Sequence, residues 1–422
     1  MGLPKAHNLL AAILAVLLII AAGLVIAQDQ ETLRVRTSLG ADEPQFPEYL
    51  ARLVGHGLTS GDAYTIHTNG DHAFPAMLAA IAAAKHRISF ETYIYDKGQV
   101  GRLFTDAFAR AARRGVEVRM VLDAIGAKNI DPADIERLQD AGCQVGWFNK
   151  VASYTVGEAN YRTHRNALVI DGGTAFVGGI RLADHWLLNT GKFNRWRDTQ
   201  IEVRGPAAID VEAAFNQNWI ETGGVVEPDL LLHDPRPDSA ARSIVVWSSR
   251  EAGANAMKLL YLLAIASART SLDIESPYLI TDESTEWSLA EARRRGVKIR
   301  MLVEGDVTDA KPVKFASRAA YERFMEQGIE IYEYQPSMMH AKALTVDGTL
   351  SIVGSANFDN RSLELNDELN IAVFDKSLAG RLRSDFETDL TQSKKLDLDE
   401  WRARAPHIRA REKMWSYFGE VF

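Results

Sequence analysis

The sequence predicts an α/β protein made of two duplicated lobes and preceded by one transmembrane helix. Three observations carry that expectation: strand-like and helix-like stretches alternate, segments of the first half recur in the second, and a long uncharged run stands near the N-terminus. At 422 residues, 46% hydrophobic and 25% charged, the chain can bury two globular cores. A net charge of -8 disfavours a broad nucleic-acid surface, so no nucleic-acid partner is expected. Cys143 is the single cysteine, which excludes an intrachain disulfide and a cysteine-based metal site.

In chain order, Leu9 to Ala27 (LLAAILAVLLIIAAGLVIA) follows Lys5 and ends at Gln28-Asp29-Gln30-Glu31. Its length just spans a hydrocarbon core of about 30 Å. An uncleaved anchor is preferred to a cleaved signal peptide, although Val25 and Ala27 are small enough for a cleavage site. Lys5 on one side and Arg34 and Arg36 on the other leave its orientation open. Residues 1–40 are therefore expected to be anchor and connector. Tyr64 to Thr68 is strand-like, Asn69-Gly70-Asp71 a turn and Ala73 to Lys85 helical. Arg87 to Tyr95 alternates as a strand, Val100 to Arg114 is a helix stopped by Gly115, and Val116 to Leu122 is another strand.

The pattern then recurs. ARTSLDIESPYLI (Ala268 to Ile280) matches AKHRISFETYI (Ala84 to Ile94), with Glu275 opposite Glu91, and RRGVKIRML from Arg294 matches RRGVEVRMV from Arg113. A repeat of roughly 180 residues is far longer than a solenoid unit and indicates duplicated domains. The expected first lobe is 41–224. A linker at 225–240 contains Pro228, Pro235 and Pro237, the second lobe is 241–395, and 396–422 is an amphipathic C-terminal helix. That helix, with Trp401, Trp415 and Tyr417 among Arg402, Arg404, Arg409, Arg411 and Lys413, either packs on the second lobe or rests on lipid headgroups.

The densest chemistry lies between Ser337 and Asp375. His340, Lys342 and Asp347 have the spacing H-x-K-x4-D, followed by Gly354-Ser355-Ala356-Asn357 and by Asn366-Asp367-Glu368. Alternating apolar residues on either side of Asp347-Gly348 predict a hairpin, in which His340 and Lys342 share a face. An imidazole beside an ammonium suits attack on phosphate: one supplies a nucleophile or proton, the other neutralises oxygen charge. The repeat supplies a first copy at a constant offset of 176 residues (164 to 340, 171 to 347), with Gly178-Gly179 opposite Gly354-Ser355. Two histidines from related halves, meeting across a pseudo-twofold seam, make a nucleophile and general-acid pair.

These doubled motifs, together with RWRDTQIEVRGPAA from Arg195 and AAFNQNWIETGG from Ala213, resemble the phospholipase D superfamily in its bacterial cardiolipin synthase-like branch. The resemblance runs from about Tyr64 to Arg402. It implies two phospholipase D-like α/β lobes sharing one active site at their interface, with no metal ion and no cofactor. The implied reaction runs in two steps through a phosphohistidine. One phosphatidylglycerol gives its phosphatidyl group to another and glycerol is released. Phospholipids and the membrane are then the partners, with the enzyme in the bacterial inner membrane and its catalytic part on the outer side.

By the same resemblance, His164 is the nucleophile and His340 the general acid, an assignment that the pseudo-symmetry allows to be reversed. Glu368 would partner His340 and Asp198 would partner His164, unless Asp198 only forms a surface salt bridge with Arg197. Asp171 and Asp347 belong to the catalytic motifs and are expected to brace their turns, while Lys342, Ser355 and Asn357 would contact phosphate oxygens. The first copy departs from the pattern: Asn166 stands where the lysine is expected, and Arg181 stands opposite Asn357. Either Arg181 restores the missing charge at this phosphate-binding pair or the first half is impaired. Arg165 points to the other face of a regular strand. A lipid hydrolase, a nuclease and, from Asn166, a non-catalytic lipid-binding protein are the competing functions.

Overall fold

The structure, a computed structural model, describes residues 32–150, 161–189, 194–226, 239–249 and 255–417. The apolar run Leu9–Ala27 and much of the expected linker lie outside the described residues. Among the described residues no helix is long and apolar enough to cross a membrane.

The first half contributes β1 (Leu58–Ser60), β2 (Ala63–Thr68), β3 (Arg87–Thr92), β4 (Glu117–Asp123), β5 (Gln144–Phe148), β6 (Ala167–Ile170), β7 (Thr174–Gly178) and β8 (Thr199–Arg204). The second contributes β9 (Arg242–Trp247), β10 (Ser271–Glu275), β11 (Leu279–Ile280), β12 (Lys298–Glu304) and β13 (Glu330–Tyr334). Then come β14 (Ala343–Val346), β15 (Leu350–Gly354), β16 (Phe358–Asp359), β17 (Leu369–Phe374) and β18 (Ser393–Lys395). One sheet has the order β2-β8-β7-β6-β3-β4-β5. The other runs β9-β17-β15-β14-β10-β12-β13, with β1 added at one edge and β18 at the other. Seven strands thus coincide one for one, and the parallel pairs β3–β4–β5 match β10–β12–β13. The duplication expected from the sequence is present in the topology.

Local chemistry explains why the repeated segments fold alike. In Arg113-Arg114-Gly115 and Arg294-Arg295-Gly296, the glycine takes φ of 91° and 89°. That left-handed residue ends each helix and lets Val116 and Val297 bond back to Ala111 and Ala292 before the next strand begins. The motif aspartates act in the same local way. Asp171 accepts from the amides of Lys85, His86 and Arg87, and Asp347 from those of Arg269, Thr270 and Ser271. Each ties its hairpin turn to the start of the neighbouring strand. They brace the fold and do not reach the reacting groups, so their place among the catalytic residues is corrected.

The lobes meet sheet face to sheet face. Val177, Ile201 and Val203 pack against Val245, Val353, Leu369, Ile371 and Val373 in one buried cluster. Each such side chain contributes about 1.5–3 kcal/mol, which makes the interface a permanent core rather than a hinge. Two segments fall elsewhere than their position in the chain suggests. The helix Phe46–Val54 and β1 belong to the second lobe: β1 pairs with β9, and Phe46 and Leu50 join Ile244, Leu260 and Phe374. The edge of β9 needs a partner, which β1 supplies while the helix buries its apolar face in the second-lobe core; the expected start of the first lobe at 41 is therefore corrected. The C-terminal helices Leu398–Arg402 and Pro406–Ser416 pack on the helix Lys311–Glu326. Trp401 is buried beside Tyr321, and buried Glu412 bonds Arg318 and Arg404. Met414 and Tyr417 stay exposed.

Candidate active site

Each histidine is held by a short cross-lobe backbone ladder. The His164 amide donates to the Asp367 carbonyl at 2.8 Å, and the Asp367 amide to that of Arg162 at 3.0 Å. Symmetrically, the His340 amide donates to the Arg197 carbonyl at 2.7 Å and the Arg197 amide to that of Met338 at 2.9 Å. The residue following each rung is a carboxylate. Glu368 Oε1 lies 2.8 Å from His164 Nδ1, and Asp198 Oδ2 lies 2.7 Å from His340 Nδ1. The expected partners are therefore exchanged: each histidine takes its acid from the opposite lobe, because the ladder aligns it with the other lobe's chain. This diversion also explains why β14 starts at Ala343 instead of at His340. Arg197 pairs with Asp389 at 2.7 Å and bonds the Asp198 backbone carbonyl, leaving the Asp198 carboxylate to His340.

A carboxylate can only accept, so each Nδ1 carries the proton and each Nε2 presents a lone pair. Burial holds the His164 imidazole down at about 4, with Arg181 and Lys342 adding to the effect against Glu368. Burial and then Lys342 hold His340 at about 3 against Asp198. Although burial pushes them up, the imidazoles keep the Glu368 and Asp198 carboxyls below the ordinary range. Free of ligand, the site has two neutral bases and two ionised acids.

The supports differ between halves. Ser355 Oγ donates to Glu368 and accepts from the Leu369 amide, so it orients the acid and does not face phosphate as expected. At the equivalent Gly179 a Cβ would come 2.3 Å from Asp198 Oδ1, leaving that carboxylate to accept instead from the Trp186 indole at 2.8 Å. Asn166 is also corrected. It donates to the Gly178 and Ile180 carbonyls at 3.1 and 2.6 Å, a buried tie across the hairpin. Arg181 takes up the position of the missing lysine. Lys342 Nζ donates to the His340 carbonyl at 2.6 Å, and Arg181 Nη2 donates to the His164 carbonyl at 3.0 Å. Arg181 is fully buried, and its Nε and Nη1 have no partner among the described residues. Arg165 is spent elsewhere, on the carbonyls of Ala214 and Ser248.

His164, His340 and Arg181 line one cavity of about 250 Å³. Asn357 lines it as expected. Tyr93, Tyr278, Asp309, Asp359 and Asn366 also line it, and the motif spacing gave no signal for the first four. Tyr278 could have been suspected, since it lies in the recurring segment around Glu275. Beneath the ladders, buried Glu91 accepts from Thr163 and Asn218, while Glu275 faces Arg197 at 3.7 Å.

A duplicated α/β fold whose two histidines, each oriented by a carboxylate, face one cavity at the lobe interface is of the phospholipase D class. The chain belongs to the cardiolipin synthase family within that class: the family described as "Cardiolipin synthase, PLD-like domain" matches residues 77–219 and 261–390. It is similar to a cardiolipin synthase of Geobacillus kaustophilus, 31% identical over 86% of this chain and 73% of that one. A cardiolipin synthase 2 of Bacillus cereus is 34% identical over 82% of this chain and 68% of that one. In structure it is similar to a phosphatidylserine synthase of Haemophilus influenzae, with a TM-score of 0.69 at 13% identity, covering 90% of this chain and all of the other. That likeness is one of fold.

Proposed function

We propose that the protein is a phosphatidyltransferase of cardiolipin synthase type, and the observation that carries this reading is the pair of crossed histidine–carboxylate dyads facing one cavity. In the first step His164 Nε2 attacks the phosphorus of phosphatidylglycerol. A P–N bond forms, the P–O bond to glycerol breaks, and His340, which takes up a proton on Nε2 when the anionic lipid binds, gives that proton to the leaving oxygen. In the second step a hydroxyl of another phosphatidylglycerol attacks, its proton passes to His340, and the P–N bond breaks to give cardiolipin. His164 is the better nucleophile on access, its side chain being 14% exposed against 6% for His340. Lys342 and Arg181 neutralise the phosphoryl oxygens, where a fixed cation is worth most. A cavity of about 250 Å³ has room for headgroups and not for acyl chains, which suits a lipid approaching from a membrane. The run Leu9–Ala27 serves as a single uncleaved anchor holding the lobes at the outer face of a bacterial cell membrane. Purified protein incubated with phosphatidylglycerol vesicles is expected to yield cardiolipin and glycerol. Phosphatidic acid as the sole product would make it a hydrolase, and vesicle binding without turnover would make it a binding protein.

An anionic diester seated between Lys342 and Arg181 offsets two of the cations that, with burial, hold His340 at about 3. His340 then gains a higher value in the complex than in the free protein, so binding takes up a proton. The sign follows: affinity is greatest at low pH and falls as pH rises through the value in the complex. Titration calorimetry at pH 6 with a phosphonate analogue of phosphatidylglycerol, in buffers of different ionisation enthalpy, should show uptake of up to about one proton per site. Proton release on binding would contradict this account of the general acid.

A further inference from the structure

We infer that the cavity wall carrying Asn357, Asp359 and Asn366, together with Asp309, is a subsite for the glycerol hydroxyls of the alcohol that leaves in the first step and attacks in the second. The inference rests on the transferase reading and adds a second ligand-recognising surface to the same cavity.

Arg162, Arg181 and Arg361 bring cations to the cavity, and a group of acceptors lies beside them. Among the described residues, Arg181 Nε and Nη1 are buried donors without a partner, matched to phosphate oxygens. Unpartnered acceptors stand among the second-lobe residues. Asn357 and Asn366 are 6% and 7% exposed, and the Oδ1 of each is buried without a partner. Asn366 Nδ2 is turned to Glu368 at 3.5 Å, which leaves its carbonyl oxygen as the end offered to a ligand. Asp359 is 5% exposed and accepts the Ser362 amide on Oδ1 at 2.8 Å. Asp309 accepts the Tyr278 hydroxyl. A phosphate oxygen has no proton to give these four residues, and the two carboxylates repel it. Hydroxyl groups satisfy all of them. A buried acceptor left unmade costs about 1–3 kcal/mol, and among the described residues Asn357 Oδ1 and Asn366 Oδ1 are two of these, so the ligand that fits carries more than one hydroxyl.

Glycerol ends both alcohols of the reaction, free glycerol as the leaving group and the headgroup of the attacking lipid. The second step reverses the first through the same His340, so one polyol subsite serves both. Gripping a second hydroxyl beside the reacting one also favours the lipid alcohol over water, which has no such group.

The test compares two small alcohols in one reaction. Phosphatidylglycerol vesicles are given 1,2-propanediol and 1-propanol at equal concentration, and the two phosphatidyl alcohols are quantified by mass spectrometry. The native protein should favour the diol by about tenfold, the worth of one charge-assisted hydrogen bond. Asp359→Asn and Asp309→Asn should each bring the ratio towards unity. A product ratio within one sample does not depend on the folded fraction, so a weakly folding variant still answers. If both alcohol products form but the ratio is flat in the native protein, or unchanged in both variants, the subsite is wrong and the transferase reading stands. If the native protein yields phosphatidic acid and no alcohol product, the transferase reading fails and the subsite fails with it.

Discussion

His164→Ala and His340→Ala should each lower phosphatidyl transfer by about ten-thousand-fold or more, the usual cost of removing one member of a unit that acts together. The two losses should differ in kind. Without His164 no P–N bond can form, so no substrate rescues the variant. Without His340 the nucleophile is intact and only the leaving oxygen lacks its proton. From a phosphatidyl ester of p-nitrophenol, the p-nitrophenolate leaves as a stable anion and needs no acid. It should restore a single burst of p-nitrophenol in His340→Ala and none in His164→Ala, read by absorbance. The reverse pattern would exchange the two roles, which the near-symmetry of the dyads makes the informative alternative. Burst in neither variant would mean that both imidazoles are needed for the first bond change.

Arg181→Ala should cost about a hundred- to a thousandfold in kcat, the range for one fixed donor to a developing oxyanion. The geometry behind this is specific: Arg181 and Lys342 make the same contact, each to the backbone carbonyl of its own histidine. Arg181→Lys should recover part of the loss, and Asn166→Lys in the Arg181→Ala background should recover more, since it returns the cation to the position it has in the second lobe. Thermal melting separates this from a structural role. Among the described residues Arg181 is a cation without a carboxylate bonded to it and with two unpartnered nitrogens, so its removal should leave the melting temperature unchanged or higher. Full activity in Arg181→Ala would end the compensation idea.

The duplication and the two histidines were legible because both are written locally, in segments whose spacing repeats. The crossing of the acids was not. A sequence places Glu368 after His340 and Asp198 after His164, whereas the partner is chosen by which backbones bond at Asp367 and Arg197, a tertiary fact. The direction of a short polar side chain was hidden for the same reason. Ser355 and Asn166 sit at motif positions, yet one turns to its acid and the other to the hairpin carbonyls. The loop residue Asp309 and the short strand carrying Asp359 have no periodic context from which a cavity wall could be inferred. The helix Phe46–Val54 and β1 belong to the second lobe because β1 pairs the edge of β9 and the helix fills the core beside it, which chain order does not record.

Exchange of the acids makes each lobe depend on the other. A lobe taken alone would hold a histidine whose orienting carboxylate sits on the opposite lobe, so half of this chain could assemble a dyad only by pairing with a second half. Joining the halves in one chain frees them from identity, since a substitution then has to fit only one side of the seam. Asn166, Arg181 and the glycine facing Asp198 use that freedom: two equivalent histidines stand on different supports, and one site results.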